Sequence, residues 1–231
     1  MITTPIKTRI FLEGENLSDF IREHITELHD GDVLAITSKI VALSESRTFV
    51  AKNPAEKLEY VKSESTWYAR TKYVHLTMHD RMPMANAGID ESNGNGKCIM
   101  LPKNSYERAY MIWRELREYF SLEHLGIVIT DSRTIPFRQG TIGISLGHMG
   151  FEGIRDYVGK SDIFGRPFLF ARTNMPDALA VSAVHTMGEG DECQPLVIIQ
   201  GSGCMFTQER QTGDDLIIDP DDDMYGPLFV K

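Results

Sequence analysis

The chain has 231 residues, 42% hydrophobic and 25% charged, enough for a substantial core and ordinary for a soluble globular protein. A formal net charge of −9, with no basic run, excludes a nucleic-acid binder that works by phosphate neutralisation. No run of roughly 18 apolar residues occurs, so no membrane-crossing segment is expected.

The opening residues, MITTPIKTRIFLEGEN, lack the apolar stretch of a secretory leader. Cys98, Cys193 and Cys204 form no CxxC, so neither a disulfide framework nor a zinc knuckle is indicated. They are expected to be buried or half-buried thiols, in a cytoplasmic, reducing setting.

In chain order, Asn16-Leu17-Ser18 opens a helix with apolar residues at Leu17, Phe20, Ile21, Ile25 and Leu28, stopped at Gly31. Asp32 to Ile36 reads as a buried strand. A second helix is expected over Pro54 to Ala69, and Tyr73 to Met78 alternates as a strand. A loop rich in Gly and Asn follows, then a short strand at Lys97 to Leu101. Asn104 or Ser105 caps a helix through Phe120, with Ala109, Ile112, Trp113, Leu116 and Phe120 on one face. Gly126 to Thr130 is the best buried strand, ending at Asp131-Ser132. A strand near Thr141 to Leu146, a helix over Pro176 to Met187 and a strand over Pro195 to Gln200 complete the pattern. The acidic tail, with Asp214, Asp215, Asp219 and Asp221 to Asp223, reads as a solvated segment. Alternating helices and strands predict a mixed α/β fold as one domain over residues 1–231, or two interwoven subdomains.

Neither GxxxxGK[ST] nor GxGxxG is present, which argues against P-loop and Rossmann enzymes. The histidines show no HxxxH or HExxH arrangement on a helix. Asp131 follows a buried strand, where a carboxylate commonly points into a ligand crevice. Asp90 sits in a loop whose small residues allow close approach to a charged ligand. Carboxylate and hydroxyl oxygens, including that of Ser132, suit hard cations. An Asp after a strand is nevertheless a turn former more often than a ligand. Glu189, between two glycines, is open to the same two readings. Lys39 and Arg138 suit phosphate or carboxylate partners, although such residues are more often surface ion pairs.

Several segments then occur in a telling order: GDVLAITSKIVALSESR, MANAGIDESN, GIVITDS followed by PFR, FEGIRDYVGKSDIFGRPF, DALAVSAVHTMGEG, PLVIIQG and the closing DDLIIDPDDDMYG. This series resembles the coenzyme F420-0:γ-glutamyl ligases over almost the whole chain, most specifically in ANAGID and the later ITDS. The resemblance implies a mixed α/β (α+β) fold, neither Rossmann nor ATP-grasp, that dimerises by intertwining. It implies GTP-dependent amide formation between L-glutamate and a carboxylate of the deazaflavin precursor through an acyl phosphate, with Mn²⁺ or Mg²⁺ and with K⁺ assisting. Asp90, Asp131, Ser132 (where the family usually has Thr) and Glu189 (where Gln is common) would hold the metals. Asn93 would contact GTP, as would the turn of Met187, Gly188, Gly190, Asp191, Glu192, Cys193 and Gln194. Ser38, Lys39 and the N-terminal piece Thr8, Arg9, Ile10 and Phe11 would also meet the nucleotide. Lys39 or Arg138 would stabilise the transferred phosphoryl group, and no general base is assignable.

The chain departs from the family pattern at Leu43, where a second Lys is usual, and at Ser46, where Gly precedes Arg47. DSRTIPFRQG keeps only Pro136, Arg138 and Gly140 of the corresponding family segment, and His148 replaces a small residue. Two alternatives follow: the same ligase chemistry on another acceptor, such as a folate, or a nucleotide- and metal-binding relative without catalysis.

Overall fold

The computed structural model describes residues 1–229. The chain enters through β1 (Ile2–Ile6), α1 (Leu17–His24), β2 (Asp32–Thr37) and α2 (Ser38–Ser44). A smaller cluster follows: β3 (Thr48–Phe49), α3 (Pro54–Ser63), β4 (Trp67–Arg70), β5 (His75–His79), β6 (Met82–Ala85) and β7 (Cys98–Ile99). Then come α4 (Ser105–Tyr119), β8 (Leu125–Arg133), β9 (Ile142–Met149), β10 (Ile154–Asp156), β11 (Arg172–Asn174), α5 (Met175–Met187) and β12 (Leu196–Gln200). This is the mixed α/β class expected.

The main sheet has the order β1-β12-β2-β8-β9. Only β2 and β8 run parallel; the other pairs are antiparallel. Strand alternation sends Leu34, Ile36, Ile127 and Ile129 to one face, where they pack with Phe20, Ile40, Ile112 and Leu116 from α1, α2 and α4. Val33, Ala35, Val128 and Val197 face the other way, against Leu179, Ala180 and Ala183 of α5. The sheet is therefore sandwiched between helices, which explains why DVLAI and GIVIT read as continuous apolar runs. A satellite core of Phe49, Val61, Ile89 and Cys98 holds the smaller cluster.

Four helices begin in the same way. Asn16, Asn53, Asn104 and Asn174 each accept a hydrogen bond from the backbone N–H three residues on, at 2.9–3.0 Å. The residue at that third position is acidic each time: Asp19, Glu56, Glu107 and Asp177. Helix α2 has no such side-chain cap.

β9 carries a bulge, because Ile129 pairs with Gly147 and Thr130 with Ser145, leaving Leu146 extra. Its glycines let helix backbones close on the sheet. A Cβ at Gly143 would collide with the Ala180 carbonyl of α5, and one at Gly147 would lie 2.7–2.9 Å from the Ser105–Tyr106 backbone of α4.

Several expectations are corrected. The first helix stops at His24, and Ile25 and Leu28 are buried outside it. Gly31, in a left-handed turn, leads into β2 instead of capping the helix. The second helix stops at Ser63, after which the chain pairs as β4, since Trp67 and Tyr68 suit a strand as well as a helix. The strand expected at Lys97 to Leu101 shrinks to Cys98–Ile99, and that at Thr141 to Leu146 runs on to Met149. GDVLAITSKIVALSESR, in which only Asp32 to Ile36 is expected as a strand, continues directly into a helix. Cys193 is exposed, unlike Cys98 and Cys204. The acidic tail is solvated as expected, and its Asp214 makes a surface ion pair with Arg81 at 3.1 Å.

Two stability predictions follow from local geometry. α2 ends in a Schellman arrangement, with Ser46 N–H to Leu43 O at 3.0 Å and Arg47 N–H to Ala42 O at 3.0 Å. Ser46 occupies the left-handed position at φ +54°. Ser46→Gly should therefore stabilise the fold by about 0.5–1 kcal/mol in denaturant titration. His148 is fully buried, and neither ring nitrogen makes a hydrogen bond. Burial holds its pKa down to about 4, while the nearby Gln211 amide works slightly the other way. The folded state keeps His148 neutral, whereas the unfolded chain takes up a proton below its ordinary value near 6.5. Stability from this group is thus complete above pH ~6.5 and is lost towards pH ~4, by about 3 kcal/mol in total. Equilibrium unfolding of His148→Leu across that range should show a correspondingly shallower decline.

Candidate active site

The register of the parallel pair sets the site. Thr37 of β2 stands opposite Thr130 of β8, so the next residues, Ser38 and Asp131, emerge side by side. Asp131 is inside β8, paired with Ile144, and not just past its end as expected. β8 continues because β9 supplies partners through Arg133.

Asp90 arrives from the other side. It bridges to Ile99 through reciprocal backbone hydrogen bonds of 3.0 and 2.8 Å. The preceding MANAG turn is strained. Asn86, Ala87 and Gly88 are all left-handed, at φ +50°, +53° and +72°. Two anchors from β5 hold it: Asn86 Oδ1 accepts from His75 N–H at 2.9 Å, and Thr77 Oγ1 accepts from Ala87 N–H at 2.8 Å. Such conformations cost of order 1–3 kcal/mol each for a residue with a side chain and persist where the surroundings impose them.

Lys39, on the first turn of α2, pairs with Asp90 and lends its charge to Asp131. Its Nζ donates to Asp90 Oδ2 at 2.8 Å, to Ser92 Oγ at 2.9 Å and to the Ser92 carbonyl at 3.1 Å. Ser92 also donates to Asp90, from its N–H at 2.8 Å and its hydroxyl at 2.6 Å. Burial works against the Asp90 carboxylate, but the hydrogen bonds from Lys39 and Ser92 prevail and hold its pKa below the usual range. Asp131 behaves oppositely. It keeps some accessible surface, yet protein atoms surround the carboxyl, and this burial pushes it up to about 6. The Ser132 N–H, the charge of Lys39 and the Ser38 hydroxyl favour its ionised form, and Asp90 opposes it. Two neighbouring carboxylates thus lie on opposite sides of their ordinary pKa, because only one is paired directly with the ammonium.

The turn after α5 closes a third side. Asn93 Nδ2 donates to the Gly190 carbonyl at 3.1 Å, and Cys193 O accepts from Thr8 N–H at 2.9 Å. Gly190 N–H donates to Glu192 at 2.8 Å, and the Glu192 carboxyl folds over Gly188, where a Cβ would strike it. Asp191 and Cys193 are exposed and Gln194 is half-buried. Glu189 accepts from the Thr141 hydroxyl at 3.4 Å. Strand alternation turns Ser132 to the α5 face, away from Asp131.

Other residues singled out by sequence have different occupations. Met187 packs in the α5 core. Arg9 pairs with Glu15 and Glu23, each at 2.9 Å, Phe11 belongs to the main core, and Ile10 is exposed. Arg138 stands exposed on the β8–β9 hairpin tip beside Phe137, which is fully exposed and left-handed. Leu43 packs against the main core. Sequence reasoning missed Ser92; its signal was the Asp-x-Ser spacing, which lets a hydroxyl fold back on the acid.

The oxygens gathered by Asp90, Ser92, Asp131 and Ser38 form a hard donor set, and a cationic nitrogen already lies among them. Among the described residues no three His, Cys, Asp or Glu side chains converge as a cage. Two carboxylates still suit Mg²⁺-like ions, which are commonly held by one or two carboxylates with substrate phosphates completing the shell. The residues present fit such an ion.

Comparison with known proteins gives the family. The sequence model of a family described as F420-0:Gamma-glutamyl ligase matches residues 5–201. The coenzyme F420:L-glutamate ligase of Methanopyrus kandleri is 32% identical over 207 residues, 81% of each chain. That of Methanocaldococcus jannaschii is 30% identical over 236 residues, covering 94% of this chain and 93% of the relative. That of Methanothermobacter thermautotrophicus is 32% identical over 195 residues, 76% and 77% of the two chains. The chain belongs to the F420-0:γ-glutamyl ligase family.

The strained turn gives a direct test. A Cβ on Gly88 would lie 2.5–2.8 Å from the Leu101 side chain, at a φ that disfavours any side chain. Gly88→Ala should lower unfolding free energy by about 1–3 kcal/mol in chemical denaturation.

Proposed function

We propose that this member of the F420-0:γ-glutamyl ligase family joins L-glutamate to the carboxylate of coenzyme F420-0, consuming GTP and requiring a divalent metal. The meeting of Asp90, Lys39 and Asp131 where β2 ends alongside β8 carries the reading. In the proposed reaction a carboxylate oxygen of the acceptor attacks the γ-phosphorus of GTP, and GDP leaves. The glutamate amine then attacks the acyl carbon of the resulting acyl phosphate, inorganic phosphate leaves, and the nitrogen loses its proton as the amide forms.

Every participant is anionic, so the site has to cancel charge. Mn²⁺ or Mg²⁺, bound to Asp90 and Asp131, would supply Lewis-acid charge at the phosphate oxygens, with K⁺ as a further counter-ion. Lys39 reaches the same space and supplies a cation to the transferred phosphoryl group. Arg138 offers a second on the hairpin tip. Asn93 and the turn from Gly188 to Gln194 present amide and backbone groups to the nucleotide. Asp90 and Asp131 act as metal ligands and not as bases. Glu189 and Ser132, on the α5 side, would complete the metal environment only with movement of the hairpin or turn.

The chain is also proposed to act as a homodimer. Ile163, Phe164, Leu169 and Phe170 lie 65–91% exposed on one segment, an apolar surface suited to self-association. Among the described residues no helix is long and apolar enough to cross a membrane. The folate alternative keeps every role above and changes only the acceptor.

Phosphate release from GTP, measured with Mn²⁺, L-glutamate and either the F420 precursor or tetrahydrofolate, tests the proposal. Release that requires both glutamate and the F420 precursor is expected. Release only with tetrahydrofolate would move the acceptor, and none with either, despite GTP binding, would identify a non-catalytic relative. Asp131→Asn should reduce the rate by at least about 100-fold, because even outer-shell partners of metal ligands are worth about 10–100-fold.

A further inference from the structure

Lys39 is seated as a cation would be. Three oxygens surround its ammonium at 2.8–3.1 Å: Asp90 Oδ2, Ser92 Oγ and the Ser92 carbonyl. The cradle does not owe its shape to Lys39. Ser92 folds back on Asp90 through its own N–H and hydroxyl, and the Asp90 backbone is fixed by the bridge to Ile99. The same ammonium draws on Asp131 from across the site. One positive charge therefore serves two acids that would otherwise repel each other.

A divalent ion approaches carboxylate oxygen to about 2.0–2.6 Å, so an ion taking the Asp90 Oδ2 and Ser92 oxygens would meet the Lys39 ammonium, already 2.8–3.1 Å from the same atoms. The lysine has a flexible four-carbon stem and a compact charge, so it can leave without unfolding α2. We propose that Lys39 is a built-in placeholder for the divalent metal. Its ammonium holds Asp90 and Asp131 together in the metal-free protein and is expelled as the metal enters. The proposal rests on the reading of Asp90 and Asp131 as a metal pair, and adds a regulation of that site.

The exchange has a thermodynamic consequence. Expelling the ammonium opposes metal binding by the free energy of its lost contacts. A triphosphate gives the displaced ammonium a new anionic partner and removes that penalty. Metal and nucleotide thus strengthen each other's binding, and by reciprocity the effect is equal in both directions. The site stays closed to stray divalent ions until the nucleotide arrives.

The test is Mn²⁺ titration of the nucleotide-free protein, followed by electron paramagnetic resonance of free Mn²⁺. Lys39→Met keeps the stem and the helix propensity and removes the charge. It should bind Mn²⁺ about tenfold tighter than the unaltered protein. Lys39→Gln should behave alike, which guards against an effect peculiar to one side chain. Removing any nearby positive charge would tighten metal binding somewhat, so a second readout isolates the exchange. Acylation of the Lys39 amine, mapped by mass spectrometry in the unaltered protein, should be slow without metal and rise severalfold at saturating Mg²⁺. Mn²⁺ affinity that is equal or weaker in both variants, or Lys39 labelling indifferent to Mg²⁺, overturns the proposal. Mn²⁺ binding that vanishes in Asp131→Asn yet ignores Lys39 sinks the placeholder alone. No Mn²⁺ binding by any of these proteins removes the metal reading, and the placeholder with it.

Discussion

The parallel pairing of β2 with β8 is the constraint on which the rest depends. It is the one parallel contact in an otherwise antiparallel sheet, and it sets the carboxyl end of β2 beside Thr130 of β8. Beyond Thr37 the first strand turns into α2, while β8 runs on beside it with only β9 as a partner. One strand contributes Ser38 and Lys39, the other Asp131. The smaller cluster brings Asp90 to the same place. It does so through a two-residue strand, an isolated bridge and a turn pinned by His75 and Thr77.

Much of this framework was legible in the sequence. DVLAI and GIVIT stood out because strands buried on both faces lose their alternation, and the Asn-capped helices announced their own beginnings. α2 was not legible as a helix. It starts directly from a strand, without a turn residue and without a capping side chain, so only the spacing of Ile40, Val41 and Leu43 betrayed it. The far end of α3 misled because an aromatic pair fits either period. In the site, Asp90, Asp131 and Lys39 stood out as motif residues, whereas their separation from Ser132 and Glu189 did not. Ser132 follows Asp131 in sequence, yet the pleat of the strand sends neighbours to opposite faces. A motif written as a string hides that difference.

Leu43 illustrates a related point. As a letter in an alignment-like pattern it reads as a missing cation. In the fold it is a hydrophobic residue packed against the main core, so its replacement by Lys would disturb packing before it could reach a ligand. Ser46 is a departure of another kind. The backbone there keeps the shape that glycine favours, and the hydrogen bonds of the helix end are intact, so serine is tolerated at an energetic expense and not by a new structure.

The β8–β9 hairpin joins two unlike mechanical parts. Its stem is locked: Gly143 admits the α5 backbone, Gly147 admits α4, and the bulge at Leu146 fixes which residues face which layer. Inserting or deleting a single residue in that stem would exchange inside for outside along the rest of β9. Residues 134–141 obey no such rule, since they are mostly exposed and answer to no core. The chain therefore separates a part that must not change length from one that can. The tip is free to diverge while the carboxylate on the stem stays where the sheet puts it.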